Sequence, residues 1–250
     1  MEQKEKIGII GAMDIEISLL AQKMREEGGV TSERVFSLDF FEGTLSGCPV
    51  TLVKSGIGKV NAALCAQLLV LKFGARKIIN TGIAGGAAKG LRIFDMVAST
   101  EAVYHDFDVT AFGYEPSVIP QMETSVFQAD KAMLKAAIEC FNALEDSRAA
   151  DEKSAEEQKR KIIAGRVASG DQFISDSEKK AKIKRICDPA CIEMEGAAIA
   201  HACFLCGVPF LILRCVSDMA EDGEESSYKY NDKTAAQMSA ALVEKLVAEI

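Results

Sequence analysis

The sequence lacks any stretch of about 18 consecutive apolar residues, the length that a helix needs to cross a bilayer. The first apolar segment follows a charged N-terminal hexapeptide and is too short for the hydrophobic core of a signal peptide. We therefore expect no membrane partner and predict a cytoplasmic protein.

The sequence also has no excess of positive charge, because acidic residues outnumber basic ones and give a net charge of -8. A surface for nucleic acid would need a basic stripe, so a nucleic-acid partner is not expected. The negative charge favours solubility.

Histidine is nearly absent, with His105 and His201 the two in the chain. Cys203 and Cys206 have the CxxC spacing, but they fall in an apolar helical pattern with no second pair at zinc-site distance. We expect no metal and no cofactor, and we interpret the eight cysteines as buried free thiols.

The sequence has no internal repeat and no Pro/Gly/Ser-rich linker. With 250 residues and 48% apolar composition, it fits a single domain spanning 1–250. The highly charged segment from Glu145 to Lys161 is the exception, and it is typical of a solvated helix extension or a mobile loop.

Apolar runs and amphipathic patterns alternate along the chain. Predicted strands are Ile7 to Ala12, Val50 to Lys54, Lys77 to Asn80, Met96 to Ser99, Ile162 to Ala168, Ala190 to Glu193 and Pro209 to Val216. Predicted helices are Ile15 to Glu26, Lys59 to Phe73, Lys131 to Leu144, Glu178 to Ile186, Gly196 to Cys206 and Asp232 to Glu249. This order predicts an α/β fold with a parallel or mixed sheet between helices, and Phe36 to Gly43 adds a hairpin.

Acidic residues stand at the ends of two apolar segments: Glu193 and Glu195 before a helix, and Asp218 after the last strand. A strand, helix and strand of this length are typical of a parallel crossover, which brings both strand ends to one edge of the sheet. We therefore expect Glu195 and Asp218 to face one cleft.

Glycine-containing turns are predicted after four strands, and such turns let backbone approach a ligand. They are Gly11 to Met13, Ser55 to Lys59, Thr81 to Gly86 and Ser169 to Asp171. Neither a complete P-loop nor a dinucleotide-binding fingerprint is present, which argues against an NTPase and a dehydrogenase.

Seven motifs together resemble a known family, and they occur in its order over nearly the whole chain. They are Ile7 to Glu16, Ser55 to Lys59, Asn80 to Gly86, Tyr104 to Tyr114, Ser169 to Ile174, Glu193 to Glu195 and Arg214 to Asp218. The family is that of the bacterial 5′-methylthioadenosine/S-adenosylhomocysteine nucleosidases. The resemblance implies a nucleoside phosphorylase-like three-layer αβα sandwich with a central mixed β-sheet.

The resemblance also implies an N-glycosyl hydrolase that releases adenine from 5′-thio-substituted ribose. Asp218 resembles the general acid at adenine N7, Glu16 the base that activates water, and Glu195 the group that holds the ribose hydroxyls. A carboxyl group that donates a proton at neutral pH needs a raised pKa, which an apolar cleft can supply. From the residues alone, a helix cap for Asp218 and a first-turn helix acid for Glu16 remain alternatives.

Further positions are carried over as a substrate pocket. Phe173 is expected to stack on adenine, the Ile174 backbone to read its edge, and Ser217 to lie beside Asp218. An apolar wall for ribose and the 5′ tail is expected from Met13, Ile57, Met194 and Tyr228. For Glu193 a place in the pocket and a cap of the next helix both stay open. For Arg214, orientation of water or carboxylates and a structural ion pair stay open.

An apolar loop forms the second half of the fourth motif. It contains Val109, Phe112, Tyr114 and, beyond them, Pro120. Exposed apolar loops mark interfaces, and in the family this loop caps the neighbour's site. A homodimer with shared sites is therefore implied, and folding of the loop onto its own core is the alternative.

Ile83 departs from the family, which has serine or threonine there, and loss of a positioning hydroxyl can slow a reaction on the order of a hundredfold. The alternatives are a purine nucleoside phosphorylase, an adenine nucleosidase acting on aminodeoxyfutalosine, and a non-catalytic nucleoside-binding protein.

Overall fold

The computed structural model describes residues 4–151, 159–220 and 225–250, with side chains for 4–148, 159–220 and 231–250. The strands are β1 (Ile7–Gly11), β2 (Thr31–Val35), β3 (Leu38–Leu45), β4 (Cys48–Lys54), β5 (Lys77–Gly86), β6 (Met96–Tyr104), β7 (Phe127–Gln128), β8 (Ile162–Ser169), β9 (Cys191–Glu193) and β10 (Phe210–Asp218). The helices are α1 (Asp14–Glu27), α2 (Lys59–Leu71), α3 (Lys131–Asp151), α4 (Ser177–Cys187), α5 (Gly196–Cys206) and α6 (Glu225–Glu249), with a 3₁₀ turn at Thr110–Phe112.

In the described part of the chain, ten strands form one mixed sheet in the order β10-β6-β8-β9-β5-β1-β4-β3-β2, with β7 paired to β6. Parallel pairs at its centre join β4, β1, β5 and β10. The predicted hairpin is present as the antiparallel pair β3 and β4, and β2, which was not predicted, pairs antiparallel with β3. The expected mixed sheet is thus present.

Five of these strands close into a ring, because β10 pairs with both β5 and β6 while β9 joins β8 to β5. Helices α1, α3 and α6 pack together, and α2 packs on α5, so that two helix groups flank the strands. Buried aliphatic residues fill the space between them, since central strands such as β1 and β10 are buried along their whole length.

The predicted parallel crossover is wrong. β9 is antiparallel to β5, whereas β10 is parallel to β5, so β9 and β10 run in opposite directions. The C-terminal ends of β9 and β10 nevertheless lie close together, because the closed ring places the end of β9 next to β5 at Gly85, where β10 also ends.

Two of the element boundaries that differ from prediction lie near the ends of β5 and β10. The glycine-rich segment Thr81 to Gly86 belongs to β5 rather than to a turn, and its glycines allow close approach: a Cβ on Gly85 would lie 2.7 Å from Ala220. Helix α6 begins at Glu225 instead of Asp232, because its first turns are polar and give no apolar period.

Helix α3 extends to Asp151, which confirms a helical extension of the charged segment to that residue; 152–158 lie outside the described residues. No helix among the described residues is long and apolar enough to cross a membrane.

Candidate active site

A cavity of about 180 Å³ opens where β1, β5, β9 and β10 end near one another. Of the predicted site residues, it is lined by Met13, Glu16, Ile57, Ile83, Phe173, Glu193, Met194, Glu195, Ser217 and Asp218. The expectation that Glu195 and Asp218 face one cleft is confirmed. Segments from six separate regions of the sequence thus meet at one place.

Glu16 lies in the first turn of α1 and points across the sheet instead of into solvent. Its Oε2 accepts hydrogen bonds from the backbone N–H of Ala12 at 2.6 Å and of Met13 at 2.9 Å. Its Oε1 accepts one from Ile83 at 3.1 Å. Burial raises the pKa of Glu16, although the Arg214 charge and these backbone donors oppose the shift.

The position of Glu193 is compatible with both roles that the sequence left open, a place in the pocket and a cap of the next helix. It lines the cavity, and its carboxylate accepts hydrogen bonds from the Gly196 N–H at 2.8 and 3.0 Å, at the start of α5. The Ser169 hydroxyl and the Arg214 guanidinium also donate to it. A carboxylate at a helix N-terminus is favoured by the helix dipole.

Arg214 lies behind the cavity wall, with 2% of its surface exposed. Its guanidinium donates to Glu193, to Asn80 Oδ1 at 2.5 Å and to the Leu213 carbonyl at 3.1 Å. Burial alone would lower the pKa of Arg214, but the carboxylates around it raise it. The geometry therefore favours orientation of carboxylates over direct contact with a ligand.

Glu195 faces the cavity from the turn between β9 and α5. Its Oε1 accepts a hydrogen bond from the Gly58 N–H at 2.8 Å. Burial and the neighbouring Glu193 charge raise the pKa of Glu195 to about 7, against the opposing effect of Arg214. Its proton occupancy therefore changes near neutral pH.

Asp218 ends β10 with its side chain held in place. Its Oδ1 accepts a hydrogen bond from the Ala220 N–H at 2.7 Å, and its Oδ2 lies 3.0 Å from Ser217 Oγ. The Ser217 hydroxyl also bonds to Asp232 of α6, which lines the same cavity. Burial raises the pKa of Asp232 and the Asp218 charge acts in the same direction, whereas the hydrogen bond from Ser217 opposes the shift.

A narrow extension of the cavity, about 30 Å³ in volume, continues from Asp218 to Phe173 and Ile174. Ile174 is buried, whereas Phe173 is 63% exposed and Ile57, across the main cavity, is 53% exposed. A narrow extension with an apolar ring at its mouth suits a planar aromatic ligand.

The apolar loop stands away from this cavity in its own chain. Phe112 is 84% exposed and Tyr114 is 39% exposed, while Val109 and Pro120 are partly buried. None of these four residues lines the cavity described above. The alternative of a loop folded fully onto its own core therefore does not apply to Phe112. Tyr228 falls in α6, but its side chain lies outside the described residues.

Ile83 contributes to the site with its backbone as well as its side chain. Its N–H bonds to Glu16 and its side chain lines the cavity wall. Since a backbone donor fixes Glu16 here, the carboxylate does not need a hydroxyl at position 83 for that contact.

Sequence reasoning missed several lining residues, namely Ala12, Ala84, Gly85, Ile192 and Asp232. The small and apolar members carry no chemical signal. Asp232 had a signal, being an acid beside an apolar helical face, but the predicted helix start at this residue made it resemble an ordinary first-turn acid.

Comparison with known proteins places this geometry in a family. The sequence-family model described as the phosphorylase superfamily matches residues 6–248 of this chain. The chain belongs to the phosphorylase superfamily.

Several similar proteins that cover nearly the whole chain are named nucleosidases. A 5′-methylthioadenosine/S-adenosylhomocysteine nucleosidase of Actinobacillus succinogenes is 42% identical, with 98% of this chain and 99% of that protein covered. The protein of the same name from Treponema pallidum is 39% identical, over 98% of this chain and 93% of that protein. The crystal structure of such a nucleosidase from Neisseria meningitidis, in complex with methylthio-immucillin-A, has a TM-score of 0.87 and 36% identity, over 98% of this chain and 100% of that one.

These similarities confirm the resemblance inferred from the seven motifs. They also confirm the nucleoside phosphorylase-like fold with its central mixed sheet.

Proposed function

We propose that this protein hydrolyses the N-glycosidic bond of 5′-methylthioadenosine and of S-adenosylhomocysteine, releasing adenine and the 5′-thioribose. The observation that carries the proposal is the convergence of Glu16, Glu195 and Asp218 on one apolar-walled cavity. Names of relatives that cover nearly the whole chain support the same activity.

Asp218 is the proposed general acid. It lies between the main cavity and the narrow extension formed by Phe173 and Ile174, where a stacked adenine would present N7. Protonation of the leaving base removes the negative charge that would otherwise develop on it as the glycosidic bond breaks. The Ala220 N–H and the Ser217 hydroxyl fix the carboxyl group for this transfer.

Glu16 is the proposed base. A carboxylate offers about four lone-pair sites, and backbone N–H groups of Ala12, Met13 and Ile83 occupy three of them. The remaining site is available to a water that faces the cavity. Burial raises the pKa of Glu16, which strengthens its hold on the proton that the water loses.

Glu195 is proposed to bind the ribose hydroxyls. Its side chain lines the cavity, and its Oε1 accepts a hydrogen bond from the Gly58 N–H. Bond cleavage leaves positive charge on the ribose ring, and the nearby carboxylates of Glu195 and Glu193 stabilise that charge electrostatically.

Water is preferred over phosphate as the attacking group. Glu16, Glu193 and Glu195 would all repel an anion in the cavity. Arg214, which could attract one, is buried and already hydrogen-bonded to Glu193 and Asn80.

We also propose that the protein acts as a homodimer in the cytoplasm. The exposed Phe112 loop and the exposed Val60, Leu64 and Leu205 on α2 and α5 form apolar surface that a second copy would cover. Eight free cysteines are typical of a reducing compartment.

The test is adenine release from both substrates in phosphate-free buffer, repeated with phosphate added. We expect phosphate-independent release with the free 5′-thioribose as product. Release that requires phosphate would establish a phosphorylase, and absence of release under both conditions would overturn the proposal.

A variant pair tests the acid. Asp218→Asn is expected to lower adenine release about 10² to 10⁴-fold, since the amide keeps the Ala220 contact but has no acidic proton. Asp188→Asn, an exposed change at the end of α4, is the matched control and is expected to behave as wild type. Near-full activity of Asp218→Asn would exclude Asp218 as the acid.

A further inference from the structure

Asp232 is a carboxyl group in the cavity to which the proposed reaction gives no task. It lies in α6, apart in sequence from β9 and the α1 start, and it is partly buried. Its position brings a second acid to the side of the cavity where Asp218 stands.

The Ser217 hydroxyl connects the two acids. Ser217 Oγ lies 3.0 Å from Asp218 Oδ2 and is also hydrogen-bonded to the Asp232 carboxyl group. A hydroxyl carries one proton and two lone pairs, so it can donate to one carboxylate while it accepts from the other acid. Ser217 is itself 1% exposed, so that bulk water has little access to the bridge.

The proposed hydrolysis creates a need for such a bridge. Each turnover leaves Asp218 without its proton, and the proton lost by the attacking water resides on Glu16 at a different part of the cavity. Asp218 is 8% exposed and is held by Ala220 and Ser217, so direct contact with solvent is restricted.

We propose that Asp232 returns a proton to Asp218 through the Ser217 hydroxyl after each cleavage, an inference that rests on the proposed function. The Asp232 O–H bond breaks as Ser217 Oγ takes that proton, and the Ser217 O–H bond breaks as Asp218 Oδ2 takes the second. Asp232 is left as a carboxylate and takes a proton from solvent. Two O–H bonds break and two form in the bridge, and no electrons change hands.

The electrostatic surroundings favour a protonated Asp232, the state from which the relay starts. Burial raises the pKa of Asp232 and the Asp218 charge adds to the shift; together they outweigh the lowering effect of the Ser217 hydrogen bond, so Asp232 holds a proton to higher pH than an exposed aspartate does. Its partial exposure lets it exchange that proton with water. Asp232 is thus a positioning residue that acts on the substrate only through Asp218.

Asp232→Asn separates proton return from placement of the side chain. The amide mimics the protonated acid and keeps a donor toward Ser217, but it cannot give up a proton. We expect kcat for adenine release to fall about tenfold, while kcat/KM stays within about twofold of wild type, because kcat/KM reports cleavage by enzyme that has had time to regain its proton. Added imidazolium buffer should restore kcat of this variant in proportion to its concentration and leave wild type unaffected.

Three further variants complete the experiment. Asp232→Glu is expected to recover most of kcat, and Asp232→Asn made in a Ser217→Ala background is expected to lower kcat no further. Lys233→Gln, an exposed change on the same helix, is the matched control and should match wild type.

An unchanged kcat in Asp232→Asn would overturn the relay, and so would a parallel fall of kcat and kcat/KM without response to buffer, which indicates a structural role. In both cases wild-type turnover and the loss in Asp218→Asn would leave the proposed function intact. Failure of the wild-type protein to release adenine would overturn the proposed function and the relay together.

Discussion

Gly82 offers a way to move Glu16 without removing it. A Cβ at Gly82 would lie 2.9 Å from Glu16 Cδ and closer still to Oε1, the oxygen that accepts the Ile83 hydrogen bond. Ordinary carbon contacts begin at about 3.5 Å. The substitution Gly82→Ala therefore forces the carboxyl group to retreat by a distance on the order of 1 Å, within a fold that is otherwise unchanged.

The magnitude follows from this displacement. A misplacement of about 1 Å can lower the rate about a hundredfold, which corresponds to about 2.7 kcal/mol in the activation free energy. The folded state loses one backbone-to-carboxylate hydrogen bond, worth about 1 to 3 kcal/mol. We expect a folded protein with a moderately lower Tm and about a hundredfold lower kcat/KM for adenine release.

The matched control is Gly43→Ala in β3. Its Cβ would lie 3.2 Å from Val30 Cγ2 and 3.4 Å from Met24 Cε, remote from the cavity. It should lower Tm slightly and leave kcat/KM unchanged. If Gly82→Ala retained kcat/KM within about twofold of wild type while Tm fell, the position of Glu16 would not matter and its role as base would be refuted.

Three other perturbations test the surroundings of the site. Arg214→Met should lower the free energy of unfolding by about 3 to 5 kcal/mol, because Glu193 loses its buried partner; urea unfolding measures this, and a loss below about 1 kcal/mol would contradict it. Since the pKa of Glu195 is about 7, its ionised fraction grows as pH rises through that value, so kcat/KM should rise over this interval in wild type and lose the step in Glu195→Gln; a flat wild-type profile would exclude a requirement for the ionised form. Phe112→Ala should raise KM for methylthioadenosine about tenfold with an unchanged circular dichroism spectrum, since burial of a phenylalanine is worth about 1.5 to 3 kcal/mol; an unchanged KM would indicate that the loop reaches no site.

The sequence pattern predicted the beginning of most strands and the residues at their ends. Asp218 and Glu195 stand where an apolar run gives way to an acid, and this contrast is visible without any structure. Their meeting in one cavity was also predicted, although the crossover used to argue it has the wrong direction. The strand pairing of β9 depends on distant segments, β5 and β8, and no local periodicity encodes such pairing.

The interior of the site was less accessible to sequence reasoning. Gly82 and Gly85 resemble turn residues because glycine has low strand propensity. They lie in β5 through its pairing with β10 and β9, and glycine is needed there because Glu16 and Ala220 approach the strand too closely for a side chain. Arg214 lies behind Glu193, instead of in the cavity, because of the face of β10 from which it projects. A strand buried on both faces shows no alternation of polar and apolar residues, so the sequence does not reveal which face that is.

The strand ring has a consequence for association between chains. Because β5, β9, β8, β6 and β10 close on one another, their backbone groups offer no free edge. Among the described strands of the main path, the open edge falls on β2, whose sequence Thr31–Val35 is polar and mostly exposed. Its charged residues Glu33 and Arg34 oppose the addition of a foreign strand. The architecture therefore protects the aliphatic strands from amyloid-like growth and leaves at the edge the strand least suited to propagate it.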